Sequence, residues 1–115
     1  YSARIELSDL RTPYPHNVRM CRLVSADQDI DPGMVQTLIS DFQAIAADWE
    51  SGAIAWTAAR NGTRVLILRA VSDMVNTFGG EIYANGDFSS RAAEVMRPLL
   101  RALPAWIDCA FPGKR

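Results

Sequence analysis

The chain has 115 residues, of which 49% are hydrophobic and 22% are charged, so we expect one packed domain spanning residues 1–115. Its 12 basic and 13 acidic side chains give a net charge of −1, which argues against a nucleic-acid partner. No apolar run is long enough to cross a membrane. With 2 cysteines and 1 histidine, the chain lacks the residues for a disulfide scaffold or a Cys/His metal site, and we expect neither metal nor cofactor.

The start of the sequence carries no basic-then-apolar leader, and a cytoplasmic location is therefore expected. The first residue is Tyr1 rather than Met. Either the N-terminus has been processed or the chain is one piece of a longer polypeptide.

The first half of the chain predicts a strand, a helix and a second strand. Apolar residues interrupted by arginines make residues 18–25 a strand. A helix is expected to begin at Asp31 and Pro32, because Asp can cap free backbone N–H groups and Pro suits the first helical position. The apolar run 44–47 fits a buried strand or more helix. We favour the strand because Asp48 can then cap the next helix.

The second half predicts a helix, a strand and a loop. Small residues fill the helix over residues 50–61, which can therefore lie close to a sheet. Asn61 and Gly62 tolerate the left-handed conformation that ends helices. Residues 65–71 are the clearest predicted strand, since a continuous apolar run fits a central parallel strand. Residues 74–87 are expected to form a glycine-bearing loop, either an ordinary surface loop or a lid.

The last predicted helix begins at Phe88 and carries one apolar stripe. Pro98 falls inside it and is expected to kink or split the helix, at a cost of about 3 kcal/mol. The stripe consists of Phe88, Ala92, Val95, Met96, Leu99, Leu100 and Leu103.

The alternation of strands and helices predicts an α/β fold with a mixed, mostly parallel central sheet flanked by helices.

Acidic side chains follow each of the three predicted strands. Asp27 and Asp29 follow the first strand, Glu50 follows the second and Asp73 follows the third. Because ligands of such sheets gather at the carboxyl ends of the strands, we expect these residues at one rim. Arg69 is expected to pair there with a site carboxylate or with a purely structural one.

Three segments resemble one enzyme family. Residues 47–55 (ADWESGAIA), 69–73 (RAVSD) and 23–30 (LVSADQDI) are similar to segments of the purine nucleosidase and nucleoside phosphorylase superfamily. The nearest group is the methylthioadenosine/S-adenosylhomocysteine nucleosidases, over about residues 18–105. The resemblance covers the C-terminal half of that family and implies its fold. It also implies cleavage of the N-glycosidic bond of a purine nucleoside or a 5′-thio analogue, without a cofactor, by a homodimer.

The resemblance implies a role for each matching residue. Asp73 matches the general acid that protonates the leaving base, with Ser72 orienting it, and such an acid needs a raised pKa. Glu50 matches the carboxylate that accepts hydrogen bonds from the ribose hydroxyls. Trp49 stands where the family has Met beside the sugar. Asp29 stands where an aromatic residue stacks on the base, and the backbone of Ile30 is next to the base edge.

Other readings of the same residues stay open. Water or phosphate can be the attacking group, since the sequence does not distinguish hydrolysis from phosphorolysis. The chain can instead be a non-catalytic nucleoside-binding or assembly module that keeps the fold. A third reading is an α/β interaction domain with no small ligand. The predicted helix 50–61, which bears Trp56, can also serve a subunit interface.

Overall fold

A computed structural model describes residues 2–80 and 88–111 as a small α/β protein with a two-stranded parallel sheet and three α-helices. The predicted α/β class is therefore confirmed. The elements in chain order are β1 (Arg22–Ser25), a 3-10 turn (Pro32–Met34), α1 (Val35–Ser40), β2 (Ala44–Asp48), α2 (Ser51–Arg60), β3 (Val75–Asn76), β4 (Gly79–Gly80) and α3 (Phe88–Ala110).

The parallel sheet is formed by β1 and β2. Leu23 lies opposite Ala46 and Ser25 lies opposite Asp48, with a register shift at the start of β1. The predicted first strand is thus shorter than expected, because pairing begins only at Arg22. The run from Ala44 is a strand, as favoured from the sequence. Helix α2 packs against β1, and α1 packs beside β2.

The helix after β1 begins as predicted. The Asp31 carboxylate accepts a hydrogen bond from the Gly33 N–H at 2.8 Å, and Pro32 takes the first position of the 3-10 turn. The turn continues into α1, which ends at Ser40. Gln43 then has a φ of +54°, which reverses the chain into β2.

Helix α2 has the predicted start and stop to within one residue. The Asp48 carboxylate accepts from the N–H of Ser51, the first helical residue, at 3.1 Å. Asn61 follows the last turn. Gly62 has a left-handed φ of +58°, a conformation that ends helices. Nothing stands within 4 Å of the place where a Gly62 Cβ would lie.

The strand predicted over residues 65–71 is wrong. Residues 63–74 have no regular secondary structure, although residues 65–68 are half-buried. An apolar run specifies burial, but a strand also needs a neighbour that supplies its backbone hydrogen bonds. The predicted loop that follows contains the antiparallel pair of β3 and β4, and its remainder, 81–87, lies outside the described residues.

Helix α3 begins at Phe88, as predicted, and continues unbroken through Pro98 and Pro104. The expected split at Pro98 is therefore not found. Each proline removes one backbone donor, and the remaining turns keep the helix together. The N-terminal segment lies across the C-terminal turns of α3, where Tyr14 stacks on Trp106 with ring centroids 5.7 Å apart.

The buried core of the described residues is small. It draws on β2 and α2 and on the last turns of α3, where Trp106 is 2% exposed. The Cys109 thiol donates to the Arg11 carbonyl at 2.7 Å, and the Arg11 N–H donates back to the Cys109 carbonyl at 3.1 Å. Among the described residues, no helix combines the length and the apolar character needed to cross a membrane.

Candidate functional site

The carboxyl ends of β1 and β2 meet at one rim of the sheet. Ser25 and Asp48 are register partners, and the Ala26 N–H donates to the Asp48 carbonyl at 3.1 Å, one residue beyond β1. Helix α2 begins at Ser51, immediately after this rim. The loop that contains Asp27 and Asp29 leaves from the same edge. The rim expected from the sequence is therefore present for two of the three predicted strands.

Asp48 is the centre of a hydrogen-bond network at this rim. Its Oδ1 accepts from the Ser25 hydroxyl at 2.6 Å and from the Ser51 N–H at 3.1 Å, and its Oδ2 accepts from the Ser51 hydroxyl. The Ser25 hydroxyl in turn accepts from the Gly52 N–H at 2.7 Å. This network joins the end of β1 to the first turn of α2, so it fixes the backbone on both sides of Glu50.

Arg69 connects the segment 63–74 to the same network. Its Nη2 lies 2.7 Å from Asp48 Oδ2 and 3.2 Å from Glu50 Oε2. Its Nε donates to the Ser51 hydroxyl at 2.9 Å. One guanidinium therefore contacts two carboxylates and a hydroxyl, which suits its planar, fork-shaped set of donors. Arg69 was expected to pair with a site carboxylate or with a purely structural one, and it contacts both the mostly buried Asp48 and the exposed Glu50.

The environment of Asp48 favours its ionised form. Burial, the largest single effect, disfavours the charge, but the hydrogen bonds from Ser25 and Ser51 and the positive charge of Arg69 oppose it. Together they hold the pKa of Asp48 below its usual value. At neutral pH this rim thus contains a fixed carboxylate paired with a fixed guanidinium.

Glu50 and Trp49 are two exposed side chains of this rim. Glu50 immediately precedes α2, and its side chain is 58% exposed although Arg69 holds one of its oxygens. Trp49 is 59% exposed. A carboxylate that is anchored by a guanidinium and still open to solvent can accept hydrogen bonds from the hydroxyls of a ligand. The neighbouring indole offers an apolar face to a ring.

Ser72 and Asp73 lie on the segment that Arg69 ties to the rim. Both are half-buried, and Asp73 interacts with another residue. Asp73 comes four residues after Arg69, so the Cα atoms of the two are at most about 14 Å apart. The strand that the sequence predicted to place Asp73 at the rim is absent from residues 63–74.

Asp29 and Ile30 lie between β1 and the 3-10 turn. Asp29 is exposed and Ile30 is half-buried. They share the edge of the sheet from which Glu50 emerges, but the direct contacts of the network involve neither of them. Within residues 2–80 and 88–111, no group of three His, Cys, Asp or Glu side chains is arranged to hold a metal ion.

Sequence reasoning identified Asp48 only as a helix cap and did not identify Ser25 or Ser51. A signal for Ser51 was present, since it follows Asp48 by three residues, the spacing at which first-turn groups reach a capping side chain. Ser25 could be found only from the register of β1 against β2, which the sequence does not state.

Comparison with known proteins adds no relative: no family model matches the chain, and no curated protein or solved structure is significantly similar to it.

Proposed function

We propose that the chain carries a nucleoside site and that it cleaves the N-glycosidic bond of purine nucleosides or their 5′-thio analogues. In this proposal the fold is that of the C-terminal half of the nucleoside phosphorylase superfamily. Glu50 binds the ribose hydroxyls, and Asp73, oriented by Ser72, protonates the leaving base. The resemblance of residues 47–55 and 69–73 to that superfamily is the starting point.

The observation that carries the proposal is the contact between Arg69 and Glu50, 3.2 Å between Nη2 and Oε2. The two resembling segments are far apart in sequence, and this contact joins them directly. It supports a shared site because Glu50 belongs to one segment and the Ser72–Asp73 pair follows Arg69 in the other. A purely local role for each segment would not require the two to meet.

The proposed reaction follows from the charges of these groups. The C1′–N bond breaks with its electron pair leaving on the purine, and the proton of Asp73 passes to the purine ring. The sugar acquires cationic character, which the anionic carboxylate of Glu50 stabilises. Phosphate then adds at C1′ from the solution, or water adds there and loses one proton to solvent. Asp73 regains its proton from solvent before the next turnover.

The remaining predicted residues contact the substrate in this proposal. Trp49 packs on the sugar face, because its indole is exposed beside Glu50. Asp29 and the backbone of Ile30 lie at the base. An acidic residue at that position accepts hydrogen bonds from an amino group or ring N–H of the base and replaces the aromatic stacking of the resembling enzymes.

The test is release of free base from methylthioadenosine, adenosine and inosine, each with and without phosphate. We expect base release from at least one of them, above the rate without protein. Stimulation by phosphate would assign phosphorolysis, and an equal rate without phosphate would assign hydrolysis. Absence of release from all three, with the circular dichroism of a folded chain, would contradict the enzymatic proposal.

Calorimetry with the same nucleosides separates the alternative function. Binding without turnover would assign a non-catalytic nucleoside-binding module. Absence of both binding and turnover would leave an α/β interaction domain. The variant Glu50→Gln tests the role of this carboxylate, because it keeps the shape of the side chain and removes the charge. It should weaken binding of a nucleoside more than binding of the free base, since only the nucleoside has the sugar hydroxyls.

A further inference from the structure

The parallel sheet has an unpaired edge at β1. Within residues 2–80 and 88–111, this sheet contains only β1 and β2. The sequence predicts a strand over residues 18–25, yet its pairing begins at Arg22. Residues 18–21 are exposed and have no regular secondary structure, with Val18 at 42% and Met20 at 53% exposure. A segment with the composition of a strand therefore leads into β1, and the described chain gives it no neighbouring strand.

The alternation of the strand backbone shows which groups of β1 face away from β2. The Ala26 N–H donates to the Asp48 carbonyl and so points towards β2. Successive residues of a strand direct their backbone groups to opposite sides, and the register is regular from Leu23 to Ser25. The N–H and C=O of Val24 therefore also point towards β2, and those of Leu23 and Ser25 point outward.

The outward backbone groups of Leu23 and Ser25 have no partner in the described part of the chain. Both residues are half-buried, and no hydrogen bond outside the β1–β2 pair involves their backbone. Backbone groups that are shielded from water are nearly always paired in folded proteins. The two residues are about 6.6 Å apart along the strand, which is also the spacing of every second residue in an extended peptide. This edge therefore fits the backbone of another polypeptide segment.

The charge of the edge indicates which polypeptide fits it. Residues 18–24 contain Arg19 and Arg22 and no acidic residue. Both arginines are exposed, and neither forms an ion pair with another described residue. Opposite charges on neighbouring strands attract, so two acidic side chains three positions apart match the two arginines. Val18 and Met20 offer exposed apolar side chains that β-branched residues of the same segment can cover.

We propose that residues 18–25 are a docking edge for an acidic, extended peptide segment of another protein, which adds to the sheet as a third strand. The peptide backbone pairs with Leu23 and Ser25, and its acidic side chains lie opposite Arg19 and Arg22. Residues 18–21 then extend β1 to the length that the sequence predicts. In this mode of recognition main-chain hydrogen bonds supply affinity and side chains supply specificity. The docking edge does not depend on the nucleoside site, because none of these groups belongs to that site.

Calorimetric titration of the full chain with the synthetic peptide TVTEVTEVTV tests the proposal. Its two glutamates occupy the same positions counted from either end, so it fits in either strand direction. We expect a dissociation constant below about 1 mM. The peptide TVTKVTKVTV should bind at least about 10-fold more weakly, because its lysines meet the arginines. TVTEVTEVTV with N-methylated backbone amides keeps the side chains but loses the donors, and it should not bind.

Amide hydrogen exchange shows where the peptide binds. Saturating TVTEVTEVTV should slow the exchange of the Leu23 and Ser25 amides at least about 10-fold, because new main-chain hydrogen bonds protect them. The amides of α3 should exchange at their original rates. Unchanged exchange at Leu23 and Ser25 in the presence of bound peptide would place the contact elsewhere and overturn the proposal.

Charge reversal tests the match with the arginines. The double variant Arg19→Glu with Arg22→Glu should weaken binding of TVTEVTEVTV at least about 10-fold and tighten binding of TVTKVTKVTV. The gain for the lysine peptide requires a folded edge, so it separates a lost contact from a lost fold. The matched control is Arg97→Glu with Arg101→Glu, which makes the same change of charge at exposed positions of α3 and should alter neither affinity.

Four further results would overturn the proposal. The first is no binding of TVTEVTEVTV at about 1 mM. The second is equal binding of the N-methylated peptide, and the third is a double variant that binds both peptides as the wild type does. The fourth is self-association of the wild type that protects Leu23 and Ser25 without any peptide, which would assign the docking edge to a second copy of the chain.

Discussion

Arg69 and Asp48 form an ion pair, with Nη2 2.7 Å from Oδ2, that joins the segment 63–74 to the end of β2. The two residues are 21 positions apart in the sequence, and no β-ladder connects their segments. The ion pair therefore holds the segment 63–74 at the rim, where the sequence predicted that a third strand would end. Its position at the rim explains why Glu50, two residues after Asp48, also contacts Arg69.

Substitution of Arg69 should destabilise the protein. In Arg69→Gln the mostly buried Asp48 carboxylate loses its cation. The free energy of unfolding should therefore fall by about 1–2 kcal/mol. The loss is no larger because Arg69 is partly exposed to solvent. Urea denaturation measures this change. Arg101→Gln, an exposed position on α3, is the matched control and should change stability by less than about 0.5 kcal/mol. Equal effects of the two substitutions would show that the Arg69 contacts do not stabilise the fold.

The Asp48 network should make stability depend on acid pH. Because the pKa of Asp48 is lowered in the folded protein, its contribution to stability is present above the unfolded value, near 4, and is lost as the pH falls through the lower folded value. The free energy of unfolding of the wild type should therefore fall more steeply below pH 4 than that of Asp48→Asn. The exposed and non-titrating Gln28→Ala variant should retain the wild-type slope. Parallel curves for wild type and Asp48→Asn would contradict the assignment.

Two residues with positive φ should respond oppositely to substitution. Gly62→Ala should cost about 1 kcal/mol through the backbone alone, since open space surrounds the added Cβ. Gln43 has a φ of +54°, and Gln43→Gly should not destabilise the protein, because glycine adopts this conformation without strain. Thermal unfolding of both variants measures the difference. A loss of stability in Gln43→Gly equal to that in Gly62→Ala would contradict this explanation.

The stacked pair of Tyr14 and Trp106 should hold the N-terminal segment on α3. Tyr14→Ala removes the ring that stacks at 5.7 Å and should lower the free energy of unfolding. We expect a loss of about 2 kcal/mol and a change in the near-ultraviolet circular dichroism of the tryptophans. Tyr14→Phe keeps the ring and should stay within about 0.5 kcal/mol of the wild type. A stability of Tyr14→Ala equal to that of Tyr14→Phe would show that the stack contributes nothing.

The elements with local signals could be predicted from the sequence. The caps at Asp31 and Asp48 and the stop at Gly62 depend on residues within one turn of each boundary. Such signals are short in range, so they can be recognised without knowledge of the tertiary contacts. The placement of Glu50 at the rim followed from them, because the end of β2 and the start of α2 were both recognised.

The elements that depend on distant partners could not be predicted. Residues 65–68 are as apolar as a buried strand, but a sequence does not state which backbone will pair with them. Pro98 was expected to kink or split the last helix, and α3 is not split there, because the turns on both sides outweigh one lost hydrogen bond. The contact of Arg69 with Asp48 and Glu50 also needed the folded chain, since nothing local joins these residues.

The most direct test of the central claim compares Asp73→Asn with the wild type in kcat and in the dissociation constant of the nucleoside that releases its base. If Asp73 donates the proton, kcat should fall at least about 100-fold while the dissociation constant changes less than about threefold. Asp41→Asn, an exposed position after α1, should change neither. A variant that loses turnover and binding in the same proportion, or that keeps the wild-type kcat, would contradict the account.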